Sequence, residues 1–152
     1  MNVRIANKFD VDQVLELIKS FSQEIDVPIE LTNDVDWDYI NKMFHHIVLG
    51  AGIALVAEDN KNLIGVFLGL KTNNLWQPKQ YELHELLFYV QPKYRKSRIA
   101  YKLLTKYNEL AKMLYEDKKV SRIVMTKTEK LGNINYERFG YKKVEESWAI
   151  GV

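Results

Sequence analysis

Two rhythms of apolar residues run along this chain, and the places where they change predict its elements. A three-and-four spacing holds for Val11, Val14, Leu15, Ile18 and Phe21, and again for Trp37, Ile40, Met43, Phe44 and Ile47. Each set is one face of an amphipathic helix. The first helix starts near Asp10, the break Val27-Pro28 separates the two, and Gly50 stops the second. Denser apolar runs at 3–5, 52–58 and 63–70 read as strands. The last two are joined by the hydrophilic turn 59–62, as in a hairpin.

The stretch 83–104 carries the strongest pattern. Leu86, Leu87, Phe88, Tyr89 and Val90 form a buried strand ended by Gln91-Pro92, because proline removes a ladder donor. After a short basic loop, Ile99, Ala100, Leu103, Leu104, Tyr107, Leu110, Ala111 and Leu114 mark one face of a helix. The first turn of a helix has unpaired N–H groups and a partial positive charge, so it attracts anions. Arg95, Lys96 and Arg98 add full charges there, Ser97 is placed to cap, and Ala100 is small enough for close approach. A phosphate-bearing ligand fits that junction.

A further strand at 122–126 returns after one helical crossover, which implies parallel neighbours. A short helix at 131–139 closes at Gly140, and 141–144 and 147–150 read as final strands. No repeat or linker divides the 152 residues, so 1–152 is one domain.

Composition narrows the classes of function. A hydrophobic share of 47% and a charged share of 28% are ordinary for a globular domain. A net charge of +2 is too mild to argue for nucleic acid by itself. The absence of cysteine removes disulfides, thiolate metal sites and a covalent cysteine intermediate. His45 and His46 are adjacent and diverge by about 100° on a helix, a poor chelate, so no metal site is expected. With no apolar run of about 18 residues, no membrane span is expected and the location is read as cytoplasmic.

The junction residues carry a resemblance. Val90-Gln-Pro92 followed by Arg95-Lys-Ser-Arg98-Ile-Ala100 is similar to the acyl-CoA signature of the GCN5-related N-acetyltransferase (GNAT) family, with Arg98 where the family usually has glycine. Tyr136-Glu-Arg-Phe-Gly140-Tyr141 resembles that family's Tyr-Glu-Lys-x-Gly-Phe. The resemblance implies a single GNAT-like α/β domain, with a mixed central sheet of six to seven strands flanked by about four helices. It also implies acetyl-CoA as co-substrate, held by the strand end Phe88, Tyr89 and Val90 and by the loop Arg95, Lys96, Ser97, Arg98, Ile99 and Ala100.

By the same carry-over, Tyr136 is the general acid that protonates the departing thiolate. At ordinary values, with a phenol near 10 and a thiol near 8.5, donation to a formed thiolate is uphill by about 1.5 pK units. The position seven before the tyrosine often holds asparagine in the family and holds Glu129 here. Asn133 or Asn135 is the substitute contact for the pantetheine arm.

An amine must lose a proton before it attacks, and Glu85 is the leading base because burial in the strand raises a carboxylate's pKa. His84, Glu82 and a water chain are the alternatives. Strict alternation puts Glu85 with Leu87 and Tyr89, and His84 with Leu86 and Phe88. A backbone N–H near Phe88 to Val90 would polarise the thioester carbonyl. Asp34, Asp36, Asp38, Trp37, Tyr39, Trp76 and Tyr81 are candidates for a cation-friendly mouth, with helix capping and core filling as the blander reading.

The function expected is transfer of an acetyl group from acetyl-CoA directly to a primary amine, on a small molecule or a protein. A homodimer is left open. Two other classes remain: a GNAT-shaped module that binds CoA or a protein without catalysis, and a nucleic-acid-associated protein using the basic stretch 93–106.

Overall fold

The chain was analysed as a computed structural model that describes residues 1–25, 35–127 and 134–146. Among these residues a five-stranded sheet runs in the order β1 (Asn2–Ile5), β2 (Gly52–Asp59), β3 (Asn62–Asn73), β4 (Tyr81–Val90), β5 (Arg122–Val124). The first four strands are antiparallel neighbours, and β5 lies parallel to β4, as the crossover implied.

Helices α1 (Val11–Glu24) and α2 (Trp37–His46) cover one face of the sheet, and α3 (Ile99–Glu116) covers the other. Two cores result. Val14, Leu17, Phe44 and Ile47 pack on Val56, Val66, Leu68, Leu87 and Tyr89. On the other side Leu103, Leu104, Tyr107 and Ala111 pack on Leu55, Ile64, Phe67, Leu83 and Val90.

The expected six to seven strands and about four helices are corrected to five strands and three α-helices among the described residues. Residues 141–146 are irregular rather than a strand, and the strand expected at 147–150 lies outside the described residues. Of the helix expected at 131–139, the described part is a single 3-10 turn, Tyr136–Phe139. Asn135 caps that turn through the Arg138 N–H, and Gly140 closes it at φ 90°, so start and stop signals stand too close for a longer helix. Leu17, rather than Leu15, completes the buried face of α1.

β4 begins five residues before the apolar run 86–90, because β3 and β5 pair with its polar half. Its register slips once: Leu68 pairs with Leu87 but Gly69 pairs with Glu85, so Leu86 is an extra residue, a β-bulge. Leu86 is 41% exposed as a result. The bulge reverses the alternation beyond it. Phe88 and Val90 therefore share the α3 face with Leu83 and Glu85, while Leu87 and Tyr89 face α1. The expected grouping of Glu85 with Leu87 and Tyr89 fails for that reason.

Candidate active site

The last two strands pair only from Glu82–Arg122 to His84–Val124 and then part. Glu85 sits where they separate. The Thr126 backbone N–H, just beyond β5, donates to Glu85 Oε2 at 2.9 Å. From the 3-10 turn, the Tyr136 hydroxyl donates to the Thr126 carbonyl at 3.0 Å and lies 3.5 Å from the same Glu85 oxygen. Burial pushes the Glu85 carboxyl up to about 7, against the opposing effect of those two hydrogen bonds. Tyr136 is raised above an ordinary phenol by burial first and by the Glu85 charge second.

A cleft of about 510 Å³ opens from this point toward the N-terminus of α3. It brings together Glu85, Phe88, Tyr89, Val90, Arg95, Ala100 and Tyr136, all singled out by sequence. Lys96, Ser97, Arg98 and Ile99 stand at the helix start but do not line it. Ile99 is buried in the core. Asn133 and Glu129 lie outside the described residues.

Local chemistry differs from expectation at two positions. Arg98, not Ser97, is the N-cap of α3 and gives no side-chain cap. The Ser97 hydroxyl instead donates to the Tyr94 carbonyl at 2.6 Å and accepts from the Ile99 N–H at 3.2 Å. Arg95 is committed elsewhere: its Nε donates to the Val90 carbonyl at 2.8 Å, and its two terminal nitrogens pair with both oxygens of Glu24 at the end of α1. The guanidinium also lies 5.4 Å from the Tyr89 ring centroid. Hydrogen bonding to Arg95 holds the Glu24 carboxyl below its usual value.

These residues suit a phosphate-bearing group at the helix start. The first main-chain bond into α3 runs from Lys102 to Arg98, so the amides of Ala100 and Tyr101 precede the helical ladder, and both residues line the cleft. The side chains of Lys96 and Arg98 are exposed and form no hydrogen bond or ion pair among the described residues.

Of the three side-chain base candidates, only Glu85 lines the cleft. Glu82 accepts from Asn74 at 2.6 Å and from His84 and Arg122 at 3.0 Å each. Burial works to raise its pKa, but those three donors outweigh it and hold the carboxyl below the ordinary value. His84 and Glu82 thus belong to a network that ties β4 to β5. None of the described residues proposed for a cationic mouth lines the cleft either. Asp36 caps α2 through the Tyr39 N–H, Asp38 pairs with Lys42, and Lys19 covers the Trp37 ring.

Sequence reasoning missed Thr126, which orients the carboxylate, and Tyr101, Leu104, Lys127, Arg138 and Phe139 in the cleft wall. It also missed Glu24. No local signal marks them, since Arg95 and Glu24 are 71 positions apart and Thr126 and Glu85 are 41 apart.

The sheet thus splits at a half-buried carboxylate, and the gap runs to a helix start where the amides of Ala100 and Tyr101 precede the helical ladder. The chain belongs to the GNAT acetyltransferase family, whose domain matches residues 50–143. Acetyl-CoA is the co-substrate of these enzymes.

No curated protein matches the chain. Among solved structures it is similar to a predicted acetyltransferase from Clostridium acetobutylicum determined with acetyl-CoA, at 15% identity and a TM-score of 0.75, covering 99% of this chain and 95% of that one. It is also similar to a GCN5-related N-acetyltransferase from Ralstonia eutropha JMP134, at 19% identity and a TM-score of 0.72, covering 98% and 97%. A third is the aminoglycoside antibiotic 6'-N-acetyltransferase from Acinetobacter haemolyticus, at 15% identity and a TM-score of 0.65, covering 99% and 97%. At such identities the likeness is one of fold.

Proposed function

We propose that this protein transfers an acetyl group from acetyl-CoA to a primary amine by direct attack, with Glu85 as base and Tyr136 as acid. When bound, acetyl-CoA supplies the thioester at which the C–N bond forms as the C–S bond breaks. Val90, Lys96, Ser97, Arg98, Ile99 and Ala100 form the strand end and loop that receive it, with Phe88 and Tyr89 beside the reacting end. Arg95 holds that loop against α1. The acceptor is an amine on a small molecule or a protein.

The observation that carries this reading is the contact between Glu85 and Tyr136 in the cleft, with the carboxyl at about 7. A base is most useful when its pKa lies near the working pH, because it is then both free and willing to accept a proton. The Tyr136 phenol, being raised by burial, is a weaker acid still than an ordinary phenol. Part of that rise comes from the Glu85 charge. Once Glu85 takes the amine proton, the charge is gone and the phenol becomes easier to ionise. The proton then passes from Glu85 to the phenol as the phenol gives its own to the leaving thiolate.

The test is thiol release from acetyl-CoA with a panel of primary amines, repeated on Glu85→Gln and Tyr136→Phe. Release that needs an amine and falls in both variants supports the reading. Equal rates in parent and variants would refute the roles, and no release with any amine would favour a CoA-binding module.

A further inference from the structure

Tyr107 is the largest fully buried side chain among the described residues, and its hydroxyl has no hydrogen-bond partner there. The ring accounts for itself: it stacks on Phe67 at 3.9 Å and 3°, and Phe67 in turn stacks on Phe88 at 4.6 Å. A phenylalanine would fill the same place without burying an unpaired polar group, which is costly. The hydroxyl therefore calls for an explanation beyond packing.

Its position supplies one. A Cβ built on Gly69 would lie 2.2 Å from the Tyr107 oxygen, so the hydroxyl occupies the space a side chain on residue 69 would need. Gly69 is the cross-strand partner of Glu85. Directly opposed residues project to one face with Cβ atoms about 5 Å apart, so the hydroxyl stands beside the Glu85 side chain at the bulge. Electrostatics agrees: burial is the main cause of the raised proton affinity of Tyr107, Tyr136 and Tyr141, and the Glu85 charge adds to it at each.

We propose that Tyr107 is a positioning residue for Glu85, its hydroxyl donating to the ionised carboxylate through one water, and so setting the pH at which Glu85 takes up a proton. The absence of a side chain at Gly69 is what admits the hydroxyl. The titratable groups facing Glu85 are Tyr107 from α3, Tyr136 from the 3-10 turn and Tyr141 from the segment after it, with Lys127 and Arg138 farther along the cleft wall. The Tyr141 hydroxyl already donates to Asn108 at 2.6 Å, and that of Tyr136 to the Thr126 carbonyl. Tyr107 alone of the three has its proton uncommitted among the described residues.

The functional meaning of this contact rests on Glu85 being the base, but the contact itself is read without substrate. In the full chain with 13Cδ-labelled glutamate, the Glu85 signal is assigned by its loss in Glu85→Gln and followed against pH. Its midpoint in Tyr107→Phe is expected at least about one pH unit above that of the parent, because the charged form loses a donor. An unchanged or lower midpoint overturns the proposal.

A second measurement uses the unaltered protein with 13Cζ-tyrosine at position 107 alone. That signal is expected to follow the Glu85 midpoint and to be flat in Glu85→Gln; a flat signal in the parent overturns the proposal. Linked titrations in a protein that acetylates no amine would sink the proposed function and leave this inference standing. Unlinked titrations in an active enzyme would do the reverse.

Discussion

The Tyr136 hydroxyl lies 3.5 Å from Glu85 Oε2, and both are fixed by Thr126, which donates its N–H to the carboxylate and receives the phenol proton on its carbonyl. One residue of backbone thus orients both groups. The pair exists because β4 and β5 part immediately after His84 and Val124.

Replacing Glu85 tests the base and has a second consequence. Glu85→Gln is expected to lower kcat/KM by about 10²–10⁴ and to abolish the rise in rate through about pH 7, measured as a pH profile of thiol release. Because the folded pKa is raised from 4.5 to about 7, the carboxyl favours the fold at low pH. That contribution is complete below the unfolded value and is lost as pH rises through about 7. Relative to the parent, Glu85→Gln should therefore gain stability between pH 4.5 and 7, by on the order of 2 kcal/mol, in urea melts at the two ends.

Tyr136→Phe keeps the ring against the α3-side core and removes only the hydroxyl. Expected is a loss in kcat of about 10²-fold or more with little change in acetyl-CoA affinity, separated by calorimetric titration and steady-state rates.

Arg95 and Arg98 should divide two tasks. Arg95→Ala breaks the clamp between β4 and α1 and is expected to lower the melting temperature, by the equivalent of about 1 kcal/mol for a partly exposed ion pair. Arg98→Ala should leave the melt unchanged but weaken CoA binding and flatten its salt dependence, since its guanidinium has no partner among the described residues. Calorimetric titrations with CoA at two salt concentrations, beside thermal melts, read both.

Gly69→Ala forces a methyl against the Tyr107 hydroxyl and is expected to cost about 1–3 kcal/mol in chemical denaturation. The double variant with Tyr107→Phe should recover part of that loss but not all, because two ring carbons remain 2.9 Å from the added Cβ.

The strand, basic turn and helix at 83–104 were legible because each rests on spacing within a few residues, whereas Tyr136 was singled out only by the resemblance of the segment ending at Gly140-Tyr141 to a family motif. What spacing hid was orientation. Simple alternation put Glu85 on the side of Tyr89, and one bulged residue, Leu86, moved it to the side of Phe88 and Val90. Arg95 was legible as a cation at the helix start, but its partner Glu24 is on another helix. The expected six to seven strands became five among the described residues because 141–144 is irregular there and 147–150 lies outside them.

By itself the sequence determined which segments coil and which extend, where the basic helix start falls, and which side chains are able to exchange protons. Those properties depend on side-chain direction and backbone preference over a turn or two of chain. Only the tertiary structure decided that Gly69 opposes Glu85, that Tyr136 touches it, and that burial pushes its carboxyl up to about 7. These depend on groups dozens of positions apart being brought to one point and partly shielded from water.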